Sequence, residues 1–288
     1  IEEANYLQSL QNPQLLLKIG DQPEFNIADK VQGLKYLGDN STPTINNSYL
    51  DVSGIDGSIL QYSTFSRYQI VANFFLRFSD WQDFKLAKHQ FYRIFGQRKL
   101  IRMRTDVESS IVRFVYPNLP EIKPSQDYAH DALITMNFDN PSGYRYSLYR
   151  SDGTYSNDLD GVQFGMNLHE NEDQYNYHFT TNNFRVYNAS DIQVDPFGQK
   201  HDLKIISKFK GNSMKIINNT NGSEWSYTKA SNGEESIVLD GINTTLNGNP
   251  ASANTDYGNI ILDAGWNDIT VTGADSVDIT FSFPFIYL

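Results

Sequence analysis

Five histidines and 34 acidic residues are the groups in this 288-residue chain that could move protons or hold a metal. His89, His130, His169, His178 and His201 are scattered, and no H-E-x-x-H pair joins any two of them. G-x-S-x-G elbows, Walker loops and G-x-G-x-x-G turns are also absent. With no cysteine, the chain offers no thiol nucleophile, disulfide framework or cysteine-bound zinc. The acidic run Asp152 to Gly161 invites a calcium reading, with Asp158 and Asp160 in ligand places and Gly161 at the turn. Ser156 then falls at the first position and Asn167 where a bidentate Glu is needed, so the run reads as a solvated loop. Carboxylates are so plentiful that no pair is singled out as a glycosidase dyad. The chemistry expected is therefore none: no enzyme, no metal and no cofactor.

Binding chemistry has more to draw on. The chain is rich in aromatics, with 18 Tyr, 18 Phe and 3 Trp. Trp225 sits in a strand-like run and reads as core. Trp266 follows Gly265 in a turn-like Ala-Gly-Trp-Asn, which exposes it as a partner or sugar contact. The tyrosines of residues 144–177 could also stack on sugars. Arg98 to Arg104 is the densest positive cluster. It reads either as a solvated strand face or, through Arg98, Arg102 and Arg104, as a dock for an acidic surface on a neighbouring subunit.

The net charge of −11 argues against sequence-independent nucleic-acid binding. No apolar run approaches the roughly 18 residues that span a bilayer. No basic-then-apolar leader opens the chain, which begins at Ile1 as a processed or partial chain would.

The elements that must position these groups are mostly strands. Leu7 and Leu10 suggest a short helix, and Leu15 to Leu17 a strand. Residues 21–50, with Asp21, Pro23, Asp39, Asn40, Pro43, Asn46 and Asn47, read mostly as loop. Residues 58–78 are strand-like. One helix follows over about 79–95: Ser79 is the expected N-cap with Gln82 three residues on, Phe84, Ala87, Phe91 and Phe95 share a face, and Gly96 stops it. Strands are expected at 99–104, 111–116 and 132–138. Further short strands follow at 184–187, 203–209, 213–217, 225–228, 236–239, 260–262, 268–271 and 277–285, separated by turns such as Asn221-Gly222, Asn232-Gly233 and Asn247-Gly248. The fold class is mainly β with one α-helix in the N-terminal half. Two domains are expected: 1–140, and an antiparallel β-sandwich over 141–288 that carries a Tyr/Asn-rich insertion at about 141–180.

The order of segments resembles the distal tail (Dit) proteins of siphophages. The match is carried by Gly54-Ile-Asp-Gly57, then a strand, helix and strand at Phe74 to Phe78, Ser79 to Phe95 and Arg98-Lys-Leu-Ile-Arg-Met-Arg104. It continues with Val186-Tyr-Asn-Ala-Ser-Asp-Ile-Gln-Val-Asp-Pro196, with Ser190 where glycine is usual, Ile217-Asn-Asn-Thr-Asn-Gly222, and Leu262-Asp-Ala-Gly-Trp-Asn-Asp-Ile-Thr-Val-Thr-Gly273. It covers roughly 50–138 and 184–288. The stretch before Val52 and the 139–180 insertion depart from the pattern. The resemblance implies a tail-tube-like N-terminal β-domain, a galectin-like C-terminal sandwich, and a non-enzymatic hexameric ring at the virion tail tip, assembled in the host cytoplasm. The implied partners are other copies of the chain, the tail tube protein, the tail-associated lysin or fibre protein, and receptor-binding proteins. The alternatives are a carbohydrate-binding module that contacts the host cell wall and, behind it, a hydrolase in the acidic loops.

Overall fold

The computed structural model describes residues 13–153, 162–168 and 172–288, with the side chains of 172 and 173 left aside. The expected helix around Leu7 and Leu10, most of the acidic run, and His169 lie outside these residues. The chain divides into two compact units, Ile1–Arg145 with Leu288, and Tyr146–Tyr287.

The first unit contains β1 (Leu15–Ile19), β2 (Phe25–Asn26), a 3-10 turn (Ile27–Asp29), β3 (Leu34–Ser41), β4 (Thr44–Asp51), β5 (Ser58–Ser66), β6 (Tyr68–Arg77), α1 (Trp81–Phe95), β7 (Ile101–Thr105), β8 (Ile111–Asn118) and β9 (Asp131–Asn140). Seven of these strands form an antiparallel sheet in the order β2-β1-β7-β8-β9-β6-β3. Strict alternation decides its faces. In β6, Tyr68, Ile70, Ala72, Phe74 and Leu76 point inward, and in β9 Ala132, Ile134, Met136 and Phe138 do the same. The apolar stripe of α1 closes this core. Phe91 meets Phe74 edge-on at 5.6 Å, and Phe95 meets Phe138 at 5.5 Å. Gly33 has φ +77°, and a Cβ built there would stand 2.0 Å from the Arg77 carbonyl oxygen. Only glycine lets the chain enter β3 beside the end of β6.

Two expectations need correction here. The helix starts at Trp81, with Asp80 as its N-cap in place of Ser79. Asp80 Oδ1 accepts from the Asp83 N–H at 2.8 Å, while Asp83 Oδ2 accepts from the N–H and hydroxyl of Ser79. An Asp pair thus forms the reciprocal cap expected of Ser and Gln. Residues 21–50 are also not loop, since β2, β3 and β4 run through them. The side chains of Asn40, Asn46 and Asn47 face solvent while the backbone groups pair across strands, so turn propensity yields to pairing. The strand-like run over 58–78 holds two strands, and β5 turns back along β4 before β6 begins.

The second unit contains β10 (Arg145–Arg150, its first residue assigned to the first unit), a 3-10 turn (Glu172–Tyr175), β11 (His178–Phe179), β12 (Asn183–Asn188), β13 (Lys204–Asn218), β14 (Glu224–Tyr227), β15 (Ser231–Asn232), β16 (Ile237–Asp240), β17 (Asn243–Leu246), β18 (Asn249–Pro250), a 3-10 turn (Ser252–Asn254), β19 (Gly265–Ser282) and β20 (Pro284–Tyr287). Its spine is the long antiparallel pair β13–β19, extended by β16-β17-β18 on one side and by β11 and β12 on the other; β10 pairs with β20. Two pairs of expected short strands, 203–209 with 213–217 and 268–271 with 277–285, merge into β13 and β19, except that Leu203 lies just before β13, Phe283 lies between strands, and Pro284 and Phe285 fall in β20. A bulge near Gly211 bends the pair without ending it. Ile260–Leu262, expected as a strand, makes only an isolated bridge between Leu262 and Val194. The described part of the Tyr/Asn-rich segment is packed: Met166, Tyr177 and Phe179 are buried, and Tyr287 donates its hydroxyl to the Met166 carbonyl at 3.0 Å.

Candidate assembly hairpin and binding cleft

The hairpin β4–β5 has few inward-facing positions. Nearly every residue from Thr44 to Thr64 is exposed on both faces. Ile45 (55%), Tyr49 (58%), Ile59 (53%), Leu60 (53%) and Tyr62 (55%) are among its exposed apolar side chains. Cross-strand register sets Leu50 opposite Ile59, Tyr49 opposite Leu60 and Ile45 opposite Phe65. Gly54 and Gly57, at φ +83° and +79°, make the turn at its tip and present Ile55 to solvent. The motif Gly54-Ile-Asp-Gly57 is therefore the point of an arm.

The root of the arm is fixed by a charge knot. Arg113 Nη1 donates to Asp39 Oδ1 at 2.6 Å and Nη2 to Glu108 Oε2 at 2.9 Å, and Arg145 joins Glu108 at 3.0 Å. Tyr36 donates its hydroxyl to the other Asp39 oxygen. Burial, reinforced by the Asp39 carboxylate, pushes the Tyr36 phenol far above its ordinary range, so it remains a donor. Asp39 lies in β3, a few residues before the arm begins.

The basic strand divides. Arg102 and Arg104 both grip Glu24, the first at 2.8 Å, and Arg104 also donates to the Ser109 carbonyl at 2.7 Å. The hydrogen bond from Arg104, assisted by Arg102, holds the Glu24 carboxyl below its usual range. This clamp ties the β1–β2 turn to β7. Arg98 is exposed at φ +56° in the turn after α1.

Trp266 lies in the second unit at the wall of a cleft of about 780 Å³ over β12 and the start of β19. It is half-buried, 5.0 Å from the Tyr187 ring, with the Arg185 guanidinium 4.2 Å over its face. Asn183, Asn219 and Thr270 line the same cleft. Sequence reasoning reached Trp266 but missed Arg185, Asn183 and Asn219, which meet it only through strand pairing.

No cluster of three His, Asp or Glu that could hold a metal occurs among the described residues. His89 and His130 are exposed, His178 pairs with Asp278 at 2.8 Å, and His201 is buried. No helix among the described residues is long and apolar enough to cross a membrane.

With this geometry in hand, comparison with known proteins gives a domain match and a fold match. Residues 21–138 match the family model of the phage tail protein RIFT-related domain. This segment contains the arm, the charge knot except Arg145, and α1. Over nearly the whole chain the fold is that of the Dit (gp 19.1) protein of phage SPP1, described as a paradigm of the hub adsorption apparatus in phages that infect Gram-positive hosts. The TM-score is 0.62 at 12% identity, covering 94% of this chain and 99% of that one. A chain of the phage p2 baseplate in its strontium-bound activated conformation aligns at TM-score 0.44 and 10% identity, covering 95% and 98%. No curated protein matches the chain. Residues 21–138 thus resemble a phage tail protein domain, and the chain as a whole shares the fold of that Dit protein.

Proposed function

We propose that this protein is a structural hub of a siphophage tail tip, whose copies close into a hexameric ring. The ring joins the tail tube protein on one side to the tail-associated lysin or fibre protein and the receptor-binding proteins on the other. Its place is the virion tail tip, with assembly in the host cytoplasm, and it performs no catalysis.

The observation that carries this reading is the β4–β5 arm. An isolated two-stranded hairpin is marginal in water, and one that shows Ile45, Tyr49, Leu50, Ile59, Leu60 and Tyr62 to solvent presents a surface that association would bury. In a closed ring each subunit presents two different patches, a donor and an acceptor. The arm is the donor, and its rigid root holds it in one direction. Arg98 is free to add a charged contact at the rim, while Arg102 and Arg104 contribute by holding the β1–β2 turn that borders the sheet edge.

Mass photometry and cryo-EM of the purified full-length chain test this. Rings are expected for the parent. The double variant Tyr49→Ser, Tyr62→Ser should be monomeric with an unchanged melting curve, since neither side chain belongs to a core. A parent that stays monomeric at high concentration and in assembled tails sinks the reading.

A further inference from the structure

We propose that the cleft over β12 and β19 in the second unit binds a neutral glycan. The inference goes beyond the hub reading and does not depend on ring formation.

The first support is a fixed set of hydrogen-bonding groups. Asn219 Nδ2 donates to Thr270 Oγ1 at 2.8 Å, and Thr270 Oγ1 donates in turn to Asn183 Oδ1 at 3.1 Å. A hydroxyl has a single proton, so this relay couples the two amides, with Asn219 giving to the hydroxyl and Asn183 taking from it. Asn219 is left with its carbonyl oxygen as an acceptor, and Asn183 with its NH2 as a donor. One acceptor and one donor held a strand apart is what vicinal sugar hydroxyls require, because each hydroxyl both gives and takes a hydrogen bond.

The second support is the flat wall. Arg185 lies over Trp266 and leaves its guanidinium edge beside Asp268, whose carboxylate is 3.9 Å from Nε. Deeper in the cleft, Phe184 is half-buried and stacked at 4.1 Å on Phe179. Planar surfaces of this kind pack against the C–H face of a pyranose.

The third support is charge. Arg185 and Asp268 are the cation and the anion of the lining, and they offset each other. An anionic polymer would need an excess of positive groups, and a cation an excess of carboxylates; this lining favours an uncharged ligand. A cleft of about 780 Å³ is within the size of ordinary small-ligand sites.

The experiment uses the full-length chain on an array of neutral and anionic glycans that includes bacterial wall polysaccharides. Calorimetric titration with lactose, maltose and chitobiose follows. Retention on neutral glycans is expected. Asn183→Ala and Asn219→Ala should each weaken it about fivefold, and Trp266→Ala about tenfold or more. Because Trp266→Ala also removes packing against Tyr187, Asn183→Asp serves as a second variant: it keeps the shape, replaces the donor by an acceptor and should weaken binding without lowering the melting temperature. Mass photometry of the same samples reads ring formation separately, so failure of one proposal is distinguishable from failure of the other. No binding to any neutral glycan, binding to anionic glycans alone, or binding indifferent to both Asn183→Ala and Asn219→Ala overturns the proposal.

Discussion

Asn267 is fully buried, and every hydrogen-bonding position of its side chain is used. Its Oδ1 accepts from the Asp263 N–H and from Asn218 Nδ2, both at 2.9 Å, and its Nδ2 donates to the Asp263 and Gly265 carbonyls at 2.8 and 3.1 Å. Asn218 and Asn188, buried alongside it, donate to the Ile261 and Leu262 carbonyls. Together the three amides pin residues 261–263. Asn267→Ala strands these groups and should cost about 3 kcal/mol in chemical denaturation; a cost near zero would mean that the loop finds other partners. Asn267→Asp should be no milder, because a carboxylate cannot donate to the two carbonyls. His201 makes a second local prediction. Its Nδ1 accepts from the Asp195 N–H at 3.1 Å, and burial holds its pKa below the ordinary value. The unfolded chain takes up a proton near pH 6.5, whereas the folded chain resists until lower pH. The contribution of His201 is therefore complete above that pH and is lost as pH falls from there through the folded pKa. Hydrogen-exchange protection over residues 191–203, measured relative to the intrinsic rate at each pH, should fall on going from neutral pH to about pH 5, and His201→Gln should flatten that dependence.

At the scale of elements, the arm and its root make the sharpest case. The knot of Arg113, Asp39, Glu108 and Tyr36 sits where β3 gives way to β4. Arg113→Met removes the partner of a carboxylate whose side chain is 8% exposed. A loss of about 3 kcal/mol in the first unit is expected, with faster proteolysis between residues 38 and 66. If cleavage and denaturation midpoint both stay at parent values, the knot does not hold the arm. The helix contrasts with the arm. Its apolar stripe was legible because 3.6-residue periodicity is written locally. Its first residue was not, because Ser79 and Asp80 are both good caps and only the Asp83 contacts choose between them. The arm was legible only in part: β5 falls in the strand-like run from residue 58, whereas β4, with Asn46 and Asn47, read as loop. The two strands pair only with each other, so no buried face imposes alternation on the sequence.

On the scale of the whole molecule, each unit has its own core, one built around Phe74, Phe91 and Phe138 and the other including Trp225, Phe281 and Phe285. We expect two unfolding transitions, seen as a calorimetric enthalpy larger than the van't Hoff value. Tryptophan fluorescence should weight the second unit, which holds Trp225 and Trp266 against Trp81 in the first. One coincident transition by calorimetry, fluorescence and circular dichroism would mean that the units unfold as one.

What the sequence determined by itself was what repeats locally or follows from residue type. Its composition gave a β-rich chain, its 3.6-residue stripe gave one helix, and its ordered motifs gave a resemblance to phage tail hubs. The tertiary structure decided what depends on residues far apart in the chain. Ile260 to Leu262 is apolar and strand-like, yet becomes a pinned loop because amides from positions 188, 218 and 267 bind its carbonyls or those of its neighbours. Arg102 and Arg104 look like a free basic face until Glu24, on a neighbouring turn, occupies them. The cleft around Trp266 exists only once β12 pairs with β19 and brings Asn183 to Thr270. Side-chain periodicity is a property of neighbours in sequence, whereas a contact's free energy depends on which distant groups the closed chain brings within reach.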